Sequence, residues 1–131
     1  MNILLDTSAY SALQRGDTRV LNVLRRAEVV SVPVIVLGEI HSGFRAGTCC
    51  PENEEQLRRF LSRPSVQILN LTAETALHYG EIDVLLRRKG RPIPCNDVWI
   101  AAAAMEHGLR LLTLDEHFRE IPLLLIEPLS E

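Results

Sequence analysis

The strongest constraint on the fold is a series of short, mostly apolar segments separated by helical patterns. These segments lie at residues 3–5, 29–32, 66–69, 109–113 and 123–126. Strands that are buried on both faces read as unbroken apolar runs, and strands that alternate with helices form parallel sheets. The sequence therefore predicts an α/β fold: a three-layer α/β/α sandwich with a central, mostly parallel sheet.

Four helical patterns with apolar residues spaced three and four apart lie between these segments, at residues 33–44, 51–61, 72–90 and 96–108. Pro33 suits a first helical turn, and Thr72 and Asn96 are predicted to cap the third and fourth helices. Gly90 and Gly108 are predicted to end those two helices, because glycine readily adopts the left-handed conformation found at helix C-termini.

The composition narrows the class of protein. A chain of 131 residues with 47% hydrophobic residues predicts a single domain spanning residues 1–131. Its net charge of −3 argues against a protein that coats polyanions in bulk. No apolar run is long enough for a transmembrane helix, and the first residues lack the basic region of a signal peptide. Three cysteines without a CxxC pair argue against a disulfide scaffold or a structural zinc site, so we expect a cytoplasmic protein.

Four acidic residues occupy positions where the predicted sheet would bring them together. Asp6 follows the first strand, Asp115 follows the fourth, Asp97 lies at the start of the last helix, and Glu39 lies on the helix after the second strand. Each alone is explained as a helix cap or a surface residue. Together they predict one acidic edge, because open parallel sheets collect functional residues beyond their carboxyl ends. Clustered carboxylates repel, and a hard divalent cation with oxygen ligands is the usual reason to assemble them.

The motifs around these acids resemble the PIN-domain family. They are Leu4-Leu5-Asp6-Thr7-Ser8, Gly38-Glu39-Ile40-His41-Ser42-Gly43, Pro94-Cys95-Asn96-Asp97-Val98-Trp99 and Leu111-Leu112-Thr113-Leu114-Asp115, in the family's order. Size and layout are similar to the VapC-type toxins of bacterial toxin–antitoxin pairs. The resemblance implies an endoribonuclease that depends on Mg²⁺ or Mn²⁺, with Asp6, Glu39, Asp97 and Asp115 as catalytic and metal-binding residues. It also implies a homodimer and a small VapB-type antitoxin whose C-terminal segment covers the site.

Further residues are matched to the site by the resemblance or by composition. Thr7, Ser8, Asn96 and Thr113 match polar positions that would orient the carboxylates. The densest basic stretch contains Arg87, Arg88, Lys89 and Arg91, and is a candidate RNA contact. Complementing the dipole at a helix C-terminus explains this stretch equally well. Similarly, His41 and His117 lie beside acids in the sequence, but surface or core positions are the simpler interpretation of both.

Phosphodiester cleavage by this set of residues would use a water molecule activated by a bound divalent cation. Phosphoacceptor domains of the receiver or haloacid-dehalogenase type also place acids at strand ends. They need a lysine beside those acids, and Lys89, the only lysine, falls at a predicted helix end. Two alternatives remain open from the sequence. One is a catalytically silent binding module with the same fold, and the other is a DNA-directed nuclease of related chemistry.

Overall fold

A computed structural model describes residues 1–47 and 50–130, and over that part of the chain strands alternate with helices. The elements are β1 (Asn2–Leu5), α1 (Thr7–Gln14), α2 (Thr18–Arg26), β2 (Val29–Pro33), α3 (Val34–Ala46), α4 (Cys50–Leu61), β3 (Val66–Leu69), α5 (Ala73–Lys89), α6 (Cys95–His107) and β4 (Arg110–Leu112). A short 3₁₀ turn, Glu116–Glu120, follows β4. None of the described helices combines the length and apolarity that crossing a bilayer requires.

All four strands of the described sheet are parallel, in the order β3-β2-β1-β4. Leu4 of β1 pairs with Ser31 of β2 on one side and with Leu111 of β4 on the other. Ile3, Leu4 and Leu5 are all fully buried, although successive strand residues point to opposite faces. Helices therefore cover both faces of the sheet, which confirms the predicted three-layer α/β/α architecture.

The strand order fixes where the helices lie. The chain moves from β1 to β2 to β3 in one direction through α1 to α4, then returns past β1 to β4 through α5 and α6. Because crossovers between parallel strands are right-handed, these two groups of helices cover opposite faces of the sheet. The direction of travel reverses beside β1, between β1 and β4, and this reversal positions the site described below.

The C-terminal segment differs from the prediction. Residues 123–126 form no strand, and only a single bridge joins Ile126 to Leu111 of β4. Leu123 has a positive φ of 69° and is 88% exposed, so the chain cannot continue there as an extended, buried strand. The tail is instead held by backbone hydrogen bonds around Leu111 and by the ion pair between Arg110 and Glu127.

Two other strand predictions change in detail. The fourth apolar run narrows to Arg110–Leu112. The third run forms β3, but β3 is an edge strand and Ile68 is 51% exposed rather than buried. A mostly apolar segment of four residues therefore does not distinguish a central strand from an edge strand.

The helix ends are confirmed more closely than the helix starts. Gly90 and Gly108 end α5 and α6 with φ values of 68° and 63°. The prediction that Asn96 caps α6 is wrong, because Pro94 holds that position and Asn96 lies within the first turn. Pro33 ends β2 and precedes α3 rather than lying inside its first turn. Of the three cysteines, Cys95 is free and exposed; Cys49 and the side chain of Cys50 lie outside the described residues.

Candidate active site

The candidate site lies beyond the carboxyl ends of β1 and β4. Asp6 follows the last residue of β1, and Thr113 and Asp115 follow β4. The two strands are neighbours, and the backbone N–H of Asp6 donates to the carbonyl of Leu112 at 3.3 Å. Since the chain reverses its direction across the sheet here, the adjoining loops diverge and leave a crevice open to a ligand.

Asp6 is the buried centre of the site. It is the N-cap of α1, and its carboxylate accepts hydrogen bonds from the backbone N–H of Ala9 at 2.9 Å and from Ser8 Oγ at 2.8 Å. The carboxylate also accepts a hydrogen bond from Thr113 Oγ1. Burial raises the pKa of Asp6 to about 6, because the loss of solvent outweighs these hydrogen bonds and Asp115 adds repulsion.

Thr113 and Ser8 connect the two strand ends through hydroxyl groups. Thr113 Oγ1 accepts from the backbone N–H of Asp115 at 2.9 Å while it donates to Asp6. Ser8 Oγ accepts from the backbone N–H of Leu114 at 3.0 Å. These contacts fix the backbone that carries Asp115 relative to the Asp6 carboxylate.

Asp97 and Asp115 form the more accessible part of the site, with His117 between them. His117 Nδ1 lies 3.4 Å from Asp97 Oδ2 and 3.1 Å from Asp115 Oδ1. The pKa of Asp97 is raised, chiefly by burial and further by repulsion from Asp115 and Glu39, while His117 opposes the shift. Asp115 begins the 3₁₀ turn and accepts from the backbone N–H of His117 at 2.9 Å, which sets the position of the imidazole.

Glu39 approaches the site from α3. Its Oε1 accepts a hydrogen bond from Thr7 Oγ1 at 2.6 Å, so the first residue of α1 orients a carboxylate on another helix. Asn96 lines a surface cavity together with Glu39. Among the described residues, Asn96 makes no hydrogen bond to any of the four acids, unlike Thr7, Ser8 and Thr113.

The structure brings all four predicted acids to one edge of the sheet. Asp115 repels Asp6 and Asp97, and Glu39 repels Asp97, so the four charges form one continuous group. Ligand atoms of Asp97, Asp115 and His117 lie within 4.8 Å of one another. Mostly carboxylate oxygens with one imidazole suit a hard or borderline divalent cation such as Mg²⁺ or Mn²⁺. The residues present therefore fit a divalent metal.

His117 lies in the site, although its position in the sequence was interpreted as that of a surface or core histidine. Its position beside Asp115 in the chain was the only available signal, and His41 beside Glu39 gave the same signal. The two histidines differ in the structure, because His41 Nδ1 pairs with Glu54 at 3.0 Å on an exposed surface. Only the docking of the 3₁₀ turn against α6 separates them.

The basic stretch is partly engaged in local contacts. Arg87 pairs with Asp83 at 2.8 Å, and Lys89 Nζ donates to the backbone carbonyl of Glu120 at 2.7 Å. These contacts fit cations at a helix C-terminus. Arg88 and Arg91 are exposed and have no ion pair among the described residues. The indole of Trp99 could stack on an RNA base, but it packs against Tyr79 with ring centroids 4.3 Å apart.

Comparison with known proteins agrees with this geometry. A profile of the PIN domain matches residues 3–124. Ribonuclease VapC2 of Rickettsia felis is 32% identical in an alignment of 132 positions, which covers 97% of each protein. Ribonuclease VapC5 of Mycobacterium tuberculosis is 28% identical over 115 residues, 88% of this chain and 84% of the relative. Among solved structures, VapBC2 from Rickettsia felis bound to a DNA fragment from its promoter has a TM-score of 0.87 at 27% identity, covering 99% of this chain and 100% of that one.

A parallel sheet with acids grouped where its strand order reverses is the architecture that the PIN domain defines. The chain belongs to the PIN-domain family, and the relatives described above place it beside the VapC ribonucleases. The resemblance carried by the four motifs is thereby confirmed.

Proposed function

We propose that this chain is a metal-dependent endoribonuclease and the toxin of a VapBC-type toxin–antitoxin pair. The observation that carries the proposal is the grouping of Asp6, Glu39, Asp97 and Asp115 at the carboxyl ends of β1 and β4. The relatives named as VapC ribonucleases support RNA as the substrate class. RNA cleavage that stops translation would take place in the cytoplasm, with residues 1–131 acting as one nuclease domain.

The four acids would hold Mg²⁺ or Mn²⁺. A bound divalent cation supplies two things that phosphodiester hydrolysis needs, an acidified water and positive charge beside the phosphate. The chain's own residues have the task of positioning. Ser8 and Thr113 hold the Asp6 carboxylate in one orientation, and Thr7 does the same for Glu39. Arg88 and Arg91 have charges available for the RNA backbone.

The proposed partner is a small VapB-type antitoxin that silences the nuclease. Similar solved structures are VapBC complexes, including those from Rickettsia felis and Salmonella typhimurium. An acidic crevice favours an inhibitor with a basic residue, and Arg fits carboxylates best because its planar fork donates two parallel hydrogen bonds. The family resemblance adds a homodimer of the toxin as the assembled form.

The test compares wild type with Asp97→Asn, a substitution that removes one charge and keeps the side-chain shape. We expect wild type to cleave cellular RNA only with Mg²⁺ or Mn²⁺, and the variant to lose cleavage while it remains folded. Asp83→Asn is the matched control, since Asp83 lies on α5 and pairs with Arg87 outside the site. Equal cleavage by Asp97→Asn and wild type, or undiminished cleavage in chelator, would contradict the proposal. Parallel assays with DNA decide between the two nucleic acids.

A further inference from the structure

We propose that a cavity between α1, α3 and α4 binds one unpaired base of the RNA, next to the phosphate that is cut. This inference rests on the proposed ribonuclease function and adds to it the origin of base preference. The cavity has a volume of about 310 Å³, and Glu39 forms part of its wall. Because Glu39 also belongs to the acid group, a nucleotide that places its phosphate at the acids can reach the cavity with its base.

The lining of the cavity suits the edge of a base. Ser11 and Gln14 of α1 and Asn53 and Gln56 of α4 line it, and these side chains carry hydroxyl and amide groups. These four side chains make no hydrogen bond to another group within the described residues. Amides carry both a donor and an acceptor, and pairs of such groups are what proteins use to distinguish bases by hydrogen bonding.

The charge of the lining argues for a base rather than a phosphate. Among the described residues, no Arg, Lys or His lines this cavity, and Glu39 is its only charged group. A phosphate would be repelled there, whereas a neutral base would not. Phe44 adds an aromatic ring to the wall, and aromatic rings are the usual stacking surfaces for unpaired bases.

Tyr10 provides a second, independent observation. It lines the cavity, is 3% exposed, and its hydroxyl is the only buried side-chain oxygen or nitrogen in the described part of the chain without a hydrogen-bond partner. Leaving a buried hydroxyl unpaired costs free energy, so such a group points to a partner that the protein alone does not supply. A base entering beside Tyr10 brings both donors and acceptors.

The size of the cavity limits the ligand to a small group. A volume of about 310 Å³ is at the lower end of the range for small-molecule pockets. It accommodates one base that has left the stack, and it excludes a duplex or a folded partner. Recognition of single bases in loops and single strands is the common way in which proteins read RNA sequence.

The experiment measures base preference beside the cut. Wild type, Asn53→Ala and Gln56→Met are incubated with a library of single-stranded RNA of random sequence, and the ends produced are sequenced. We expect wild type to prefer one base at a fixed position next to the cut. In each variant the ratio of cleavage at that base to cleavage at other bases should fall about tenfold, the scale of one base contact. Asn22→Ala, an exposed residue on α2 outside the cavity, is the matched control and keeps the wild-type preference.

A second measurement does not depend on cleavage. Asp97→Asn is titrated with four single-stranded tetranucleotides that differ in one base, and we expect one of them to bind about tenfold more tightly than the others. The double variant with Asp97→Asn and Gln56→Met should lose this difference in affinity. Base-selective binding without cleavage by wild type would support the cavity while refuting the proposed function. Absence of any base preference, or a preference that both cavity variants retain, would overturn the inference. Variants that retain the preference but bind the antitoxin more weakly would also overturn it, and would assign the cavity to the protein partner.

Discussion

Replacing Asp6 by Asn should make the metal-free protein more stable at neutral pH. Asp6 is 4% exposed and its pKa rises from 3.8 to about 6, so keeping it ionised in the fold costs about 3 kcal/mol. Asn removes the charge and keeps an oxygen that can accept from the N–H of Ala9. Its amide can donate to Thr113 Oγ1, although that contact is weaker than the one to a carboxylate. We therefore expect Asp6→Asn to raise the free energy of unfolding by about 1 to 3 kcal/mol at pH 7.5.

The gain should depend on pH in a definite direction. A carboxyl group with a raised pKa in the folded state favours folding while it is protonated, and this contribution is lost as the pH rises from about 4 to about 6. Wild type should lose about 2 kcal/mol from Asp6 between pH 4.5 and pH 7.5, and the variant should not. Asp97, whose pKa is also raised, is present in both proteins and largely cancels in the difference.

The assay is unfolding by urea and by heat in the presence of a chelator, at pH 4.5 and pH 7.5. Each kcal/mol corresponds to a melting temperature shift of about 3 °C for a chain of this size. Asp17→Asn is the matched control. Asp17 also caps a helix, but its pKa is lowered to about 2 by Arg19, so this substitution should bring no gain at pH 7.5. The reasoning is refuted if Asp6→Asn is no more stable than wild type at pH 7.5, or if its advantage is equal at both pH values.

Two further predictions concern the same site. Thr113→Val keeps the side-chain shape but removes the hydrogen bond to the buried Asp6 carboxylate. It should therefore lower the free energy of unfolding by about 1 to 3 kcal/mol at pH 7.5, with a smaller loss at pH 4.5. An equal loss at both pH values would show that the hydroxyl does not act through the charge of Asp6. Millimolar Mn²⁺ should raise the melting temperature of wild type at pH 7.5 and raise that of Asp97→Asn less, because a ligand bound only by the folded state stabilises it; equal gains in both proteins would place the metal elsewhere.

The residues of the site that could be predicted from the sequence are those that lie next to the end of a predicted strand or on a predicted helix. Asp6 directly follows β1, and Asp115 follows β4 after two intervening residues. Parallel strands end at the same edge of the sheet, so both acids are expected there. Asp97 at a helix start and Glu39 on the helix after β2 follow from the same alternation of elements. The placement of four acids needed only the order of strands and helices and no knowledge of distances.

Most of the missed features depend on contacts between distant segments. His117 joins the site only because its turn docks beside Asp97, which lies 20 residues earlier. Helices α1 and α2 were also not predicted, although Asp6 and Asp17 supply their N-caps and α2 buries Val20 and Val23, which lie three residues apart. The C-terminal segment resembles a strand in composition, but it does not form one because Leu123 has a positive φ of 69°. Residue propensities do not predict a positive φ for leucine.

The hydrogen bonds that the protein donates to its carboxylates differ between the acids: some acids are held in place by them, and others are left accessible to a ligand. Asp6 is buried and held by Ala9, Ser8 and Thr113, so its orientation is fixed before any ligand arrives. Asp115 is about one third exposed, and its side-chain neighbour is the exposed imidazole of His117. Hydrogen bonds from the protein hold a carboxylate in place but neutralise little of the group's charge, and the burial cost at Asp6 persists despite three of them. A cation that binds at Asp97 and Asp115 would relieve repulsion across the whole group, which is why the stability gain from metal and the loss of RNA cleavage should respond together to Asp97→Asn.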